Sequence, residues 1–293
     1  MSSKLTALTE AITFSDSDQF YGVIDPGGAP LSRRVQSLTF QRYFPIPQSG
    51  ITGLTLSNNA GDANNDIDIA AGRVGSDSGD YNLILTSARI KQLDAAWAVG
   101  TNQGGLDTGV KAVSTWYHVF AIGRVDTHVV DVLFSASATA PTMPADYTKK
   151  RRIGAIRTNS SGNIIGFLQY GDQFAWKSPP FLDVDDATLT TARKDYTLSG
   201  VPGGVVVEAI VNLRINNAAA FVAYISNTNL TDLAPNATAL PLGTMGSANS
   251  TNGLAAKLCL LTNASAQISA RSTAANTSIK VTVLGWNDPR GKW

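Results

Sequence analysis

The chain has 293 residues, of which 43% are hydrophobic and 15% charged, and its formal net charge is +1. It is too apolar for a disordered segment, and its charges are too balanced for a protein that presents a whole basic face to nucleic acid. Its length suits one or two domains with a small extension. Only two glutamates occur, Glu10 and Glu208, while Asp, Asn, Ser, Thr and Gly are abundant. Helices favour Glu, Lys and Leu, whereas turns favour Asp, Asn, Gly and Ser. The composition therefore predicts an all-β chain of short strands and many turns.

Residues 1–46 form the first segment. Phe20, Gly22 and Ile24 alternate with Tyr21 and Val23, and Pro26, Gly27 and Gly28 supply a turn before Val35 and Leu38. This predicts a hairpin too small to stand alone in water. An aromatic tail, Phe40, Tyr43 and Phe44, leads into a linker from Pro45 to Gly50.

Residues 51–178 read as a central β domain. NDIDIAAG alternates, with Ile67 and Ile69 on one face and Asp66 and Asp68 on the other. SARIKQLDAAWAVG, from Ser87 to Gly100, is the one helix expected, with Gly100 as its stop. Further strands are expected at WYHVFAIGR, HVVDVLFSAS, RRIGAIRT, NIIGFLQYGD and QFAWKS. PPFLDVDD, from Pro179 to Asp186, marks a boundary and reads as a solvated linker.

Residues 181–293 resume the strand rhythm as a C-terminal β-sandwich domain. In GVVVEAIVNLRIN, Val205, Val207, Ala209, Val211, Leu213 and Ile215 share a face opposite Val206, Glu208, Ile210, Asn212 and Arg214. Six or so strands at this spacing suggest a β-sandwich or jelly roll.

Little in the residues points to catalysis. A hydrolytic triad needs a base, and the two histidines, His118 and His128, flank one expected hairpin, a structural setting. Glycan cleavage needs two carboxylates, which only Glu208 and the tract Asp183, Asp185 and Asp186 could supply. DANNDID resembles a calcium loop, but Ile67 stands where that loop needs Gly and Arg73 where it needs Glu. It reads as turn plus strand. The single cysteine, Cys259, sits in an apolar run and reads as a small buried hydrophobe. No catalytic, cofactor-binding or metal-binding residue is assigned. Residues 1–20 lack the apolar core of a signal peptide, and no run approaches the ~20 apolar residues of a membrane span, so a cytosol-made protein without membrane insertion is expected.

One tract stands out for charge. Lys149, Lys150, Arg151 and Arg152 are consecutive. Alternation within TKKRRIGAIRT puts Arg152, Gly154 and Ile156 on one face, and NSSG, from Asn159 to Gly162, turns the chain into a hairpin with NIIGFLQYGD. A structural strand with a charged lip is the leading reading, its charges balanced by Asp126, Asp131 or Asp146. An anionic partner such as surface polysaccharide comes second and nucleic acid last.

The tracts Ser87–Gly109, Thr115–Thr158 and Gly166–Trp176 resemble a segment found in structural proteins of tailed bacteriophages. The start of the chain is similar to the short particle-anchoring modules of phage tail-fibre and head-fibre proteins. The matching features are Leu5 to Leu8, the acidic stretch Asp18 to Asp25, and Arg33 and Arg34 before Leu38. The resemblance implies a virion protein, a non-enzymatic homotrimeric fibre with an anchoring hairpin followed by two β-sandwich or jelly-roll-like domains. Leu5, Leu8, Phe20, Val23, Ile24, Arg33, Arg34, Val35 and Leu38 would anchor it to a phage tail, portal-adaptor or capsid protein. The projecting domains would offer surface to a host polysaccharide. Two alternatives stand beside this one: a head–tail junction or capsid decoration protein with no receptor role, and a polysaccharide depolymerase.

Overall fold

The computed structural model describes residues 19–24, 31–36, 41–42, 50–179, 181–236, 244–247 and 250–292. Among these residues the regular structure is almost entirely β. The first strands are β1 (Gln19–Ile24), β2 (Leu31–Gln36), β3 (Ile51–Gly53), β4 (Leu56–Asn58), β5 (Asp66–Ile69), β6 (Gly72–Gly75) and β7 (Asn82–Leu85). Then follow β8 (Arg89–Ala96), β9 (Gln103–Leu106), β10 (Trp116–Gly123), β11 (Val130–Ser135), β12 (Lys149–Arg157), β13 (Phe167–Tyr170) and β14 (Gln173–Trp176). The remainder are β15 (Leu182–Leu189), β16 (Lys194–Thr197), β17 (Glu208–Asn217), β18 (Phe221–Asn227), β19 (Thr244–Ser247), β20 (Ser250–Leu261), β21 (Gln267–Ser272) and β22 (Thr277–Asn287).

Five sheets result. A seven-stranded sheet runs β12-β10-β11-β9-β8-β5-β4, and a six-stranded sheet runs β13-β14-β22-β17-β20 with β15 also on β22. A four-stranded sheet runs β16-β21-β18-β19, a three-stranded one β3-β6-β7, and β1 pairs with β2 as a two-stranded sheet.

The alternation read in the sequence places the core. Ile67 and Ile69 of β5 are fully buried, and so are Val207, Ala209, Val211 and Ile215 in and beside β17. On the opposite face of β17, Asn212 and Arg214 are exposed. Phe174 and Trp176 of β14, Trp286 of β22 and Trp116 of β10 form one aromatic cluster. Phe174 stacks on Trp286 with centroids 5.0 Å apart, and Trp116 meets Trp286 edge-on at 5.3 Å. Full burial of each such side chain stabilises by ~1.5–3 kcal/mol, before any gain from ring geometry. The cluster joins a strand of the seven-stranded sheet to strands of the six-stranded one.

Three local expectations need correction. The expected helix from Ser87 to Gly100 is strand β8, which pairs antiparallel with β5 and parallel with β9. Lys91 and Leu93 are both fully buried, a period-2 pattern, so sheet pairing overrides the helical preference of its Ala, Lys and Gln. PPFLDVDD is not a solvated linker: β15 begins at Leu182 and pairs with β22, with Val184 buried. Strands on either side of it share a sheet, because β14 of the central segment also pairs with β22.

The third correction concerns NSSG. The turn forms: Asn159 Oδ1 accepts from the Ser161 and Asn163 amides, and Gly162 takes a positive φ of 81°. One bridge, Thr158 to Ile164, follows. The chain then crosses to the six-stranded sheet, where β13 pairs with β14 rather than β12, and Phe167 is buried against Phe174.

Candidate functional site

Lys149, Lys150, Arg151 and Arg152 lie on β12, at the edge of the seven-stranded sheet. Antiparallel pairing with β10 carries a bulge between Val119 and Phe120. A bulge breaks strict alternation and re-aims side chains. Here the successive residues Arg151 and Arg152 are both buried and both meet the tail after β22.

Each cation has its own partner. Lys149 pairs with Asp80, and Lys150 Nζ lies 2.6 Å from Asp77 Oδ2. Arg151 Nε donates to the Arg290 carbonyl at 3.0 Å. Arg152 donates Nη1 to Asp288 Oδ1 at 2.6 Å and Nη2 to Oδ2 at 2.8 Å. The carboxylates expected to balance the tract serve elsewhere: Asp126 and Asp146 pair with Arg124, and Asp131 pairs with the buried Lys91. The true partners come from the turn before β7 and from the chain's end, which three-dimensional packing alone brings near.

The Arg152–Asp288 pair is the centre of a buried polar network. Arg152 Nε donates to His118 Nδ1 at 2.9 Å, and the Trp286 indole N–H and the Arg290 amide donate to Asp288. Arg290 in turn donates to the carbonyls of Ile153 and Leu54. Burial, followed by the Arg152 charge, holds His118 down at about 3, so its imidazole is neutral and accepts this bond. Asp288 stays below its usual range because Arg152 and its other donors outweigh the opposing effect of complete burial. The network clamps the tail across β12 and β10.

Beside it lies an open groove of about 480 Å³. Phe120, Lys150, Arg151, Val205, Val206 and Pro289 are among its lining residues. Residues of β10 and β12 thus meet there the residues before β17 and the tail after β22.

The other residues that chemistry could have recruited are separated. His128, at a positive φ of 62°, shares a 3.0 Å hydrogen bond with the Tyr81 hydroxyl. Asp183 is half-buried; its Oδ1 accepts the Ser199 and Gly200 amides, and burial raises its carboxyl above the usual range despite them. Asp185 pairs with Lys280. Asp186 accepts from Lys194, Thr188 and Tyr196, which hold it well below the usual range. Glu208 accepts from the Asn287 side chain. Three Asp carboxylates of one tract therefore serve three local structures. In DANNDID, Asp62 Oδ1 accepts the Asn64 and Asn65 amides, and β5 follows, as turn plus strand predicts. Among the described residues no group of three His, Cys, Asp or Glu side chains is placed to hold a metal ion.

Cys259 departs from expectation. It lies on β20 opposite Ile210 and is exposed, because the six-stranded sheet leaves that face open. Of the expected anchoring residues, Phe20, Val23 and Ile24 lie on β1, and Arg33, Arg34 and Val35 on β2. The register sets Phe20 opposite Val35, Tyr21 opposite Arg34 and Gly22 opposite Arg33. Leu5, Leu8 and Leu38 lie outside the described residues, as do the Pro26–Gly28 turn, the aromatics Phe40, Tyr43 and Phe44, and residues 45–49 of the expected linker.

The chain matches no protein-family model, and comparison with curated proteins gives no match. Asp288 and Arg290, which complete the buried network, were not legible as site residues. The one local signal is a charged, proline-containing tract, WNDPRG, that begins in the last two residues of β22.

Proposed function

We propose that the chain is a non-enzymatic structural component of a tailed-phage virion. In this reading it is a homotrimeric fibre that attaches through residues 1–46 and projects its β domains, which offer surface to host glycan. The observation that carries the reading is the hairpin β1–β2: among the described residues it pairs with no strand of the other sheets. A six-residue-per-strand hairpin of that kind is marginal in water and gains stability by docking. Docking on a particle, with three copies side by side, supplies that burial. The tracts that resemble phage structural proteins, and the β-rich build of the rest of the chain, support the same reading.

Gold-labelled antibody against the chain, applied to purified phage particles, tests it. Label concentrated at fibres is the expected result; label absent from particles overturns it. Excess purified protein should also slow adsorption of phage to cells. Unchanged adsorption would favour a junction or decoration role over receptor contact.

A further inference from the structure

The outward face of the six-stranded sheet carries an inference that deepens the glycan-contact part of the proposed function and rests on that reading for its biological setting. The ladder register puts Tyr170 opposite Gln173, Gln173 opposite Asn287, Asn287 opposite Glu208 and Glu208 opposite Leu261. Directly paired residues share a face, so these five side chains form one row across β13, β14, β22, β17 and β20. Their chain neighbours Phe174, Trp286 and Ala209 are fully buried on the other face. Tyr170 is 66% exposed and Leu261 48%, and the three residues between them are half-buried. Four steps at the ~4.8 Å strand spacing make the row ~19 Å long.

Glu208, Asn287 and Leu261 line a hollow of about 290 Å³ together with Asp172, Asp288 and Lys292. That volume is at the lower end of small-ligand sites. Asp172 pairs with Lys292 and lies 3.8 Å from Arg290, and Asp288 pairs with Arg152. Glu208 has no cationic partner among the described residues. Its one side-chain hydrogen bond comes from the neutral Asn287 amide, Nδ2 to Oε2 at 2.5 Å. Glu208 Oε1 and Asn287 Oδ1 are left as acceptors without a protein donor. A carboxylate with only a neutral donor gains most from a ligand donor that is itself charged. An exposed Tyr ring gives a sugar ring or an ammonium group a face to lie on.

We infer that this row binds an amino-sugar chain, an oligosaccharide of pyranose rings with protonated amino groups. One ammonium group donates to Glu208, ring hydroxyls donate to Asn287 and bond to the Gln173 amide, and a further ring lies on Tyr170.

Isothermal titration of the full chain near pH 6 tests it. The probes are the β-1,4-linked tetramers of glucosamine, N-acetylglucosamine and glucose, which share one backbone and differ at the second ring carbon. Tetralysine serves as a polycation without rings. The expected result is saturable one-to-one binding of the glucosamine tetramer, at least about tenfold tighter than either neutral tetramer or tetralysine, as a charge-assisted bond implies. Glu208→Gln keeps the acceptor for Asn287 and should cut that preference to about threefold or less. Tyr170→Ala, at an exposed side chain, should weaken the glucosamine tetramer about fivefold. The inference is overturned if the glucosamine tetramer does not bind, if a neutral tetramer or tetralysine binds as tightly, or if both variants bind like the parent chain. The titration uses the isolated chain and so stands apart from particle labelling. Binding with no label on particles sinks the virion reading alone, and label at fibres without binding sinks this inference alone.

Discussion

Arg152 and Asp288 are 136 residues apart in sequence and meet through two parallel N–H···O bonds, with side-chain exposures of 5% and 0%. They fasten the last residues of the chain to the edge strand of another sheet. Removing one partner leaves the other charged and buried. Asp288→Ala should therefore cost ~3–5 kcal/mol of folding free energy in urea denaturation. The paired change Arg152→Met with Asp288→Leu should cost clearly less than the sum of the two single changes. Additive losses would show that the pair is not coupled.

His118 makes stability depend on pH. Its folded value is about 3 against 6.5 in the unfolded chain. Between these values the unfolded chain binds a proton that the folded one refuses. The contribution is fully present above pH 6.5 and falls as pH drops towards 3. Denaturation at pH 7 and pH 5 should differ by about 2 kcal/mol from this group. His118→Gln keeps an acceptor for Arg152 and should remove most of that difference; an unchanged pH dependence would contradict the assignment.

Gly285 sits where β22 pairs with β14. A Cβ there would lie 2.1 Å from the Phe174 carbonyl oxygen and 2.8 Å from Ala175 Cα. Both are backbone atoms, so the strands must separate to admit a methyl group. Gly285→Ala should lose ~1–3 kcal/mol or more, read as a lower urea midpoint. Gly109, which has no atom within 4 Å of an added Cβ but a positive φ of 74°, serves as a comparison whose cost comes from backbone strain alone.

Cys259 should react with Ellman's reagent in the folded protein, one thiol per chain, without denaturant. The exposed position on β20 demands it. Reaction only after unfolding would place the thiol in the core.

What the sequence revealed and what it hid follow from the range of the forces involved. Period-2 patterns were legible in β5 and β17 because one face of each strand is buried and the other is not. β8 was not, because Ile90, Leu93 and Trp97 fall at helical spacing by coincidence and its alternation includes a lysine. Lys91 is fully buried on Asp131 and on the carbonyls of Ala98 and Gly100, so a charged residue occupies a core position. Cys259 was misplaced because LAAKLCLL is apolar on both faces, and only the sheet order decides which face stays open. The partners of the basic tract were hidden for a simpler reason: Asp77, Asp80 and Asp288 lie 73, 69 and 136 residues from the cations they bind. The hairpin β1–β2, whose register keeps Phe20 opposite Val35, was legible because its contacts are local.

The central claim is that this hairpin attaches the chain to a particle. Its most direct test is incorporation of the full chain and of a chain lacking residues 1–46 into particles that lack the native copy, measured by quantitative mass spectrometry of purified virions. The account predicts that the full chain enters particles while the shortened one stays folded in the soluble pool. Equal incorporation of the two would contradict it.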